Sequence, residues 1–264
     1  MVEHEMMVKT ICFKTLRELF GLDNDFNIIA GPCAIESKEQ MESVAKILKK
    51  NAVVFLRGGA YKPRTSPYDF QGLGLDGLKI LDDVRKCYNL LTVTEILDPR
   101  DVELGMRYTD IIQIGSRNMQ NYSLLKEVGK SNHPVLLKRG MMATLQEFLY
   151  AAEYLAYEGN ERIILCERGI RTFENGIRNM LDIAGIATIK NETSLSVIAD
   201  LSHSLGRKDI IKLVAKCLVP LCNGIMVEIH PDPKNALSDS QQQLNFDEFT
   251  DVVNVIQMVL DRNK

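Results

Sequence analysis

Eight short apolar runs recur along this chain, and nearly every one ends in a residue able to do chemistry. They cover residues 27–30, 53–56, 91–94, 111–114, 134–137, 162–166, 195–199 and 224–227. Their exits read GPC, RGG, E, GSRN, KRG, ERG, DLSH and EIHPDP. Apolar runs without polar alternation mark parallel strands whose outer faces are covered by helices. Eight of them, separated by helical stretches, predict a (β/α)8 TIM barrel, which gathers its active site from the C-terminal ends of its strands. The length of 264 residues suits one such barrel of ~250 residues. A doubly wound open sheet is the rival architecture, and the missing Gly-rich dinucleotide fingerprint after the first run counts against it.

Bulk properties narrow the function. An apolar content of 45% and a charged content of 25% describe an ordinary globular protein. A formal net charge of −3 argues against nucleic-acid binding, which needs a basic surface. No apolar run approaches the ~20 residues of a membrane span, and the N-terminus lacks the apolar core of a signal peptide. The six cysteines show no disulfide-framework spacing, so a reduced, cytoplasmic setting is expected. Residues 1–264 are read as a single catalytic domain without a separate regulatory domain. Residues 1–26 are read as an extension covering the bottom of the barrel.

Helix starts are written between the strands. Ser37 with Gln40 and Thr144 with Glu147 have capping-box spacing. Asp98 before Pro99 has the N-cap and first-turn chemistry of a helix start, and Asn245 can cap a last helix. Two stretches, GGAYKPRTSPYDFQGLG and HPDPKNALSDSQQQLN, exceed the usual ~2–6 residues of a βα loop. Long polar loops at the catalytic face are where function collects.

Cations crowd the expected strand exits: Arg57, Lys62, Arg64, Arg117, Lys138, Arg139, Arg168 and Arg171. Such a cleft in a mildly anionic protein points to a small, highly charged anionic substrate. Arginine forks match phosphate and carboxylate oxygens, although any single member could equally be a surface or ion-pair residue. A second set, Cys33, His203, Glu228, His230 and Asp239, follows strands 1, 7 and 8, which become neighbours on closure. Its mixed sulfur, nitrogen and oxygen donors suit one divalent ion such as Mn, Fe, Co or Zn. Each alone also has a bland reading, as a buried thiol or a turn cap. These residues read as a metal-dependent enzyme for small phosphorylated carboxylates, and neither the bond made nor the substrate follows from them.

Seven segments, AGPCAIES, LRGGAYKPRTSPY, QIGSRNMQN, LLKRG, CERGIRTFE, SHSLGR and MVEIHPDPKNALSDSQQQL, together resemble the 3-deoxy-D-arabino-heptulosonate 7-phosphate (DAHP) synthases. The likeness is to the branch shared with 3-deoxy-D-manno-octulosonate 8-phosphate synthase, and it runs from about residue 28 to the C-terminus. It implies a metal-dependent transferase that condenses phosphoenolpyruvate with D-erythrose 4-phosphate and opens the shikimate pathway. It also implies that Cys33, His203, Glu228 and Asp239 are the metal ligands. Arg117 and Arg168 would take the phosphate of phosphoenolpyruvate, and Arg57, Lys62 and Lys138 its carboxylate end. Arg64, Thr65 and Ser66 would take the aldose phosphate. Lys62, with Cys33 and His203, is expected at the catalytic centre, either as proton donor or as a purely electrostatic group. Where the family reads Pro before the histidine ligand, this chain carries Leu201. The KPRTS run resembles the erythrose-using enzymes, whereas the octulosonate synthases carry an Asn-containing variant there.

Two other readings stand beside this one. The chain could be an octulosonate 8-phosphate synthase using arabinose 5-phosphate. It could also be a non-catalytic barrel that binds a separate chorismate mutase, although intact metal and anion sets argue against that. The resemblance further implies a homotetramer or homodimer. With no room expected for a regulatory domain, the enzyme should be insensitive by itself to Phe, Tyr and Trp.

Overall fold

Aliphatic and β-branched side chains that fill both faces of a covered sheet turn the apolar runs into strands. The computed structural model describes residues 6–262; the first five residues of the expected N-terminal extension lie outside the described residues. The strands are β1 (Asn27–Gly31), β2 (Phe55–Arg57), β3 (Leu91–Glu95), β4 (Ile111–Ile114), β5 (Val135–Lys138), β6 (Ile163–Glu167), β7 (Ser196–Asp200) and β8 (Gly224–Glu228). All are parallel, and they form a closed barrel in sequence order. The seam is made by β1 and β8, in register from Asn27 opposite Gly224 to Gly31 opposite Glu228. A helix returns the chain after each strand, from Lys38–Lys50 after β1 to Phe246–Arg262 after β8. This is the predicted (β/α)8 barrel. None of the described helices is long and apolar enough to cross a membrane.

The strands run further than the apolar runs. Seven of them include one more residue at the exit: Gly31, Arg57, Glu95, Lys138, Glu167, Asp200 and Glu228. The backbone ladder continues past the point where the side chains change from apolar to polar. Hydrophobicity alone therefore stops one residue short of the chemistry.

Alternation along the strands then builds the interior. Every strand sends a side chain into a closed apolar cluster: Ile29, Phe55, Val93, Ile111, Leu136, Ile164, Ile198 and Met226, with Cys166 of β6 as a second. Residues two apart on a strand share a face, so the next inward layer is Gly31, Arg57, Glu95, Gln113, Lys138, Cys166, Asp200 and Glu228. That layer is the floor of the upper cavity, and its glycine is required. A Cβ on Gly31 would lie 1.9 Å from the Arg57 carbonyl oxygen.

At the opposite end, the helix Leu16–Phe20 places Leu16 in the same interior cluster. Its Phe20 ring meets Phe55 edge-on, with centroids 5.6 Å apart. Thr144 and Glu147 close the expected capping box. Ser37 also caps its helix, but Gln40 bonds the Glu36 N–H at 3.0 Å instead of that of Ser37, so the reciprocal half of that box falls one residue earlier. Phe55 fills the interior from the middle of β2 and is fully buried. We therefore expect Phe55→Ala to lower unfolding free energy by about 3–5 kcal/mol in urea titrations, and Phe20→Leu to cost markedly less.

Candidate active site

Four donor side chains converge above the β1–β8 seam. The ligand atoms of Cys33, Glu228 and Asp239 lie within 4.8 Å of one another. His203 Nε2 stands 3.5 Å from Glu228 Oε1 and 3.6 Å from Asp239 Oδ2. Each donor is placed by local backbone. Cys33 follows β1 by two residues, and Glu228 ends β8. His203 sits in the short helix Leu201–Leu205, whose N-cap is Asp200. Leu201 takes the first helical position, where proline also fits, so its presence leaves the histidine's turn intact.

Asp200 does more than cap. Its Oδ2 accepts from His203 Nδ1 at 2.8 Å and also pairs with Lys138 Nζ. Lys138 is buried and His203 half-buried, and the Asp200 side chain is fully enclosed. Burial opposes its ionisation, but the imidazole and ammonium it holds outweigh that and keep its carboxyl well below the ordinary range. The bond fixes the tautomer of His203, because an Nδ1–H facing a carboxylate leaves the Nε2 lone pair free. Burial lowers the pKa of His203, which favours that neutral form. Nε2 and two carboxylate oxygens then face one another as acceptors. Such a grouping is favourable only around a cation, so the residues fit a divalent metal ion. Burial first, and then Glu228, pushes the Cys33 thiol up to about 12. A metal bound there would displace its proton.

Two of the donors, His203 and Asp239, reach the wall of a cavity above the barrel floor, lined also by Arg57, Lys62, Arg64, Thr65, Arg117, Lys138 and Arg168, while Cys33 and Glu228 are fully buried behind them. Two of these cations are already compensated: Arg57 by Glu228, at 2.6 Å, and Lys138 by Asp200. Among the described residues, Lys62, Arg64, Arg117 and Arg168 have no carboxylate within ion-pair distance. Lys62 Nζ instead donates to the Cys33 carbonyl at 3.1 Å. Burial works against its ammonium, but the negative field of Cys33 as thiolate, Glu228 and Glu95 outweighs that and raises its pKa. Arg64 bridges the two long loops, donating to the Phe70 carbonyl at 2.8 Å and to Ser238 Oγ.

Some expected residues lie elsewhere. Ser66 does not line this cavity, and its hydroxyl accepts the Tyr68 N–H at 3.3 Å in a turn of the loop. Arg139 turns away into a buried pair with Glu167 and Asp182, both at 2.8 Å, which identifies it as a structural cation. His230 stands outside the donor cluster: its Nδ1 accepts from Asp232 N at 3.0 Å, and its Nε2 faces Glu36 at 3.4 Å. Arg171 is exposed on the rim of an adjoining cavity that shares Arg117 and Met141. Glu95, Gln113 and Arg178 also line the cavity, and nothing in the sequence pattern had given any of them a role. Gln113 and Glu95 were accessible by counting two residues inward from Ile111 and Val93. Arg178 lies in the irregular stretch between β6 and the helix Ile183–Glu192 and carries no such signal.

The model of the DAHP synthetase I family matches residues 6–261. The chain belongs to that family. It is 49% identical over 237 residues to a phospho-2-dehydro-3-deoxyheptonate aldolase of Thermotoga maritima, a match covering 89% of this chain and 70% of the relative. The crystal structure of that aldolase superposes with a TM-score of 0.87 at 48% identity, over 90% of this chain and 70% of the other. A truncated 3-deoxy-D-arabino-heptulosonate 7-phosphate synthase from the same organism gives 0.84 at 44%, over 90% and 87%. A 2-dehydro-3-deoxyphosphooctonate aldolase of Acidithiobacillus ferrooxidans is 27% identical over 90% of this chain and 91% of its own length. Of these two kinds of relative, the heptonate aldolase is the more similar to this chain.

Asp200 orients a donor without being one. Removing its charge while keeping its shape, as in Asp200→Asn, should weaken Mn2+ binding by about 10–100-fold in equilibrium dialysis, with the circular dichroism spectrum unchanged.

Proposed function

We propose that this chain is a metal-dependent 3-deoxy-7-phosphoheptulonate synthase, joining phosphoenolpyruvate to D-erythrose 4-phosphate and releasing phosphate. The observation that carries this reading is a cavity that holds four cations without carboxylate partners, Lys62, Arg64, Arg117 and Arg168, and that reaches the metal-type donor cluster through His203 and Asp239. Two phosphates and a carboxylate need such a lining, and an aldehyde needs such a centre. Within the family, the nearness of the heptonate relative and the Lys62-Pro63-Arg64-Thr65 run favour erythrose 4-phosphate over arabinose 5-phosphate.

The proposed roles follow from position and charge. Arg117 and Arg168 take the phosphate of phosphoenolpyruvate, since neither is neutralised within the protein. Arg57, Lys62 and Lys138 face its carboxylate. Arg64 and Thr65, on the loop after β2, take the aldose phosphate. Cys33, His203, Glu228 and Asp239 would hold one divalent ion, which when bound supplies Lewis-acid polarisation of the aldehyde. C3 of phosphoenolpyruvate bonds to the aldehyde carbon, and the carbonyl oxygen gains a proton. Water adds at C2, and the resulting hemiketal phosphate breaks its C–O bond to release phosphate. Lys62 gives the proton to the new alkoxide: it stays charged in spite of burial, and it stands beside Cys33. Arg117, Arg168 and Lys138 hold the changing anionic charge in place.

Purified protein loaded with Mn2+ should release phosphate from phosphoenolpyruvate plus erythrose 4-phosphate, and a chelator should abolish the release. Turnover only with arabinose 5-phosphate would move the assignment to the sister activity, and no turnover with either by folded, metal-loaded protein would end the enzyme reading. Arg168→Ala should lower kcat/KM by about 10–100-fold, as expected for about 1.5–3 kcal/mol from hydrogen bonds to a charged group, mainly through KM for phosphoenolpyruvate.

A further inference from the structure

Two consecutive glutamines behind the donor cluster are almost completely shut away from solvent: Gln242 is 3% exposed and Gln243 0%. Their side chains bond to the donors or to the backbone beside them. Gln242 Nε2 donates to Glu228 Oε2 at 2.6 Å and to Asp239 Oδ2 at 3.2 Å. Its Oε1 accepts from Arg178 Nη1 at 2.6 Å. Gln243 Oε1 accepts from the Cys33 N–H at 3.1 Å, while its Nε2 donates to the Ser238 carbonyl at 2.7 Å.

The chemistry of the partners fixes both amide orientations. A guanidinium and a backbone N–H only donate, whereas carboxylates and a carbonyl only accept. Each glutamine is thus locked at both ends of its amide. Asp239 also needs outside support, because its φ of 49° lies in the left-handed region. Gln242 closes that turn with its own N–H, on the Asp239 carbonyl at 3.2 Å.

We propose that Gln242 and Gln243 are positioning residues for the cation: between them they preset Cys33, Glu228 and Asp239 before the ion arrives. This rests on the metal reading given above. An amide suits the task because it restrains carboxylates by hydrogen bonding while leaving their negative charge for the ion. A lysine in place of Gln242 would compete with the cation, and a glutamate would repel the ligands. Metal ligands commonly depend on such outer hydrogen bonds for orientation. Restraining donors in advance strengthens binding by lowering the ordering cost.

The test is Mn2+ affinity, measured by equilibrium dialysis without substrate, for the parent chain, Gln242→Leu, Gln243→Leu and the exposed neighbour Gln241→Leu. Each Gln242 and Gln243 variant should bind Mn2+ about 10–100-fold more weakly, and Gln241→Leu should match the parent. At saturating Mn2+, kcat and the KM values for both substrates should stay within a few-fold of the parent. With Co2+, the thiolate absorption band should shift in Gln243→Leu, because its Cys33 backbone is released. Should Gln242→Leu fail to fold, Gln242→Asn keeps a neutral amide but draws it back from Glu228 and Asp239 by one methylene, and it should weaken binding several-fold. Mn2+ affinities within two-fold of the parent in folded Gln242 and Gln243 variants would overturn the proposal and leave the metal reading standing. A parent chain that binds no Mn2+, Co2+ or Zn2+ would overturn both.

Discussion

Closure of β1 against β8 is the contact on which the rest of the molecule depends. The five-residue register that sets Gly31 opposite Glu228 joins the first barrel strand to the last. Without it Glu228 has no place beside Cys33, and Arg57 has no buried carboxylate to meet. On the other side of β1, its contact with β2 tolerates no side chain at Gly31, whose Cβ direction is filled by the Arg57 carbonyl. The site is therefore shaped by barrel geometry first and by particular side chains second.

Above the seam, charge is distributed in two tiers. On the floor, Arg57 and Lys138 are matched by Glu228 and Asp200, and such pairs tolerate burial because each partner satisfies the other. On the walls and rim, Lys62, Arg64, Arg117 and Arg168 keep their charge unanswered by carboxylates among the described residues. The tiers separate a role in holding shape from a role in attracting anions. Arg139 belongs to the first kind although its sequence position resembles the second, since Glu167 and Asp182 claim it.

The barrel was legible because its signal is periodic and repeated eight times. Cys33, His203, Glu228, His230 and Asp239 could be grouped because they follow strands that become neighbours on closure, but position alone did not separate His230 from the other four; only the resemblance did. What failed to show was direction. Arg139 and Lys138 are adjacent in sequence, yet strand alternation points one outward to acidic partners and the other inward. Ser66 and His230 lie in long loops where no period dictates orientation, so the hydroxyl and the ring serve turns instead. Arg178 approaches the cavity from an irregular loop, and only the packed structure reveals it. At six strands the extra exit residue is polar, and at β1 it is Gly31; in each case the ladder continues where the apolar side chains stop.

The seam also orders events in time. Of the four donors, Cys33 leaves with the first strand, while Glu228 and Asp239 arrive with the last. During synthesis a growing chain carries the thiol long before it owns either carboxylate. No partial barrel can assemble the full donor set, and a chain cut short before β8 would present Cys33 and His203 alone. Capture of an ion by all four would thus mark completion, since they meet only when the last strand has docked against the first.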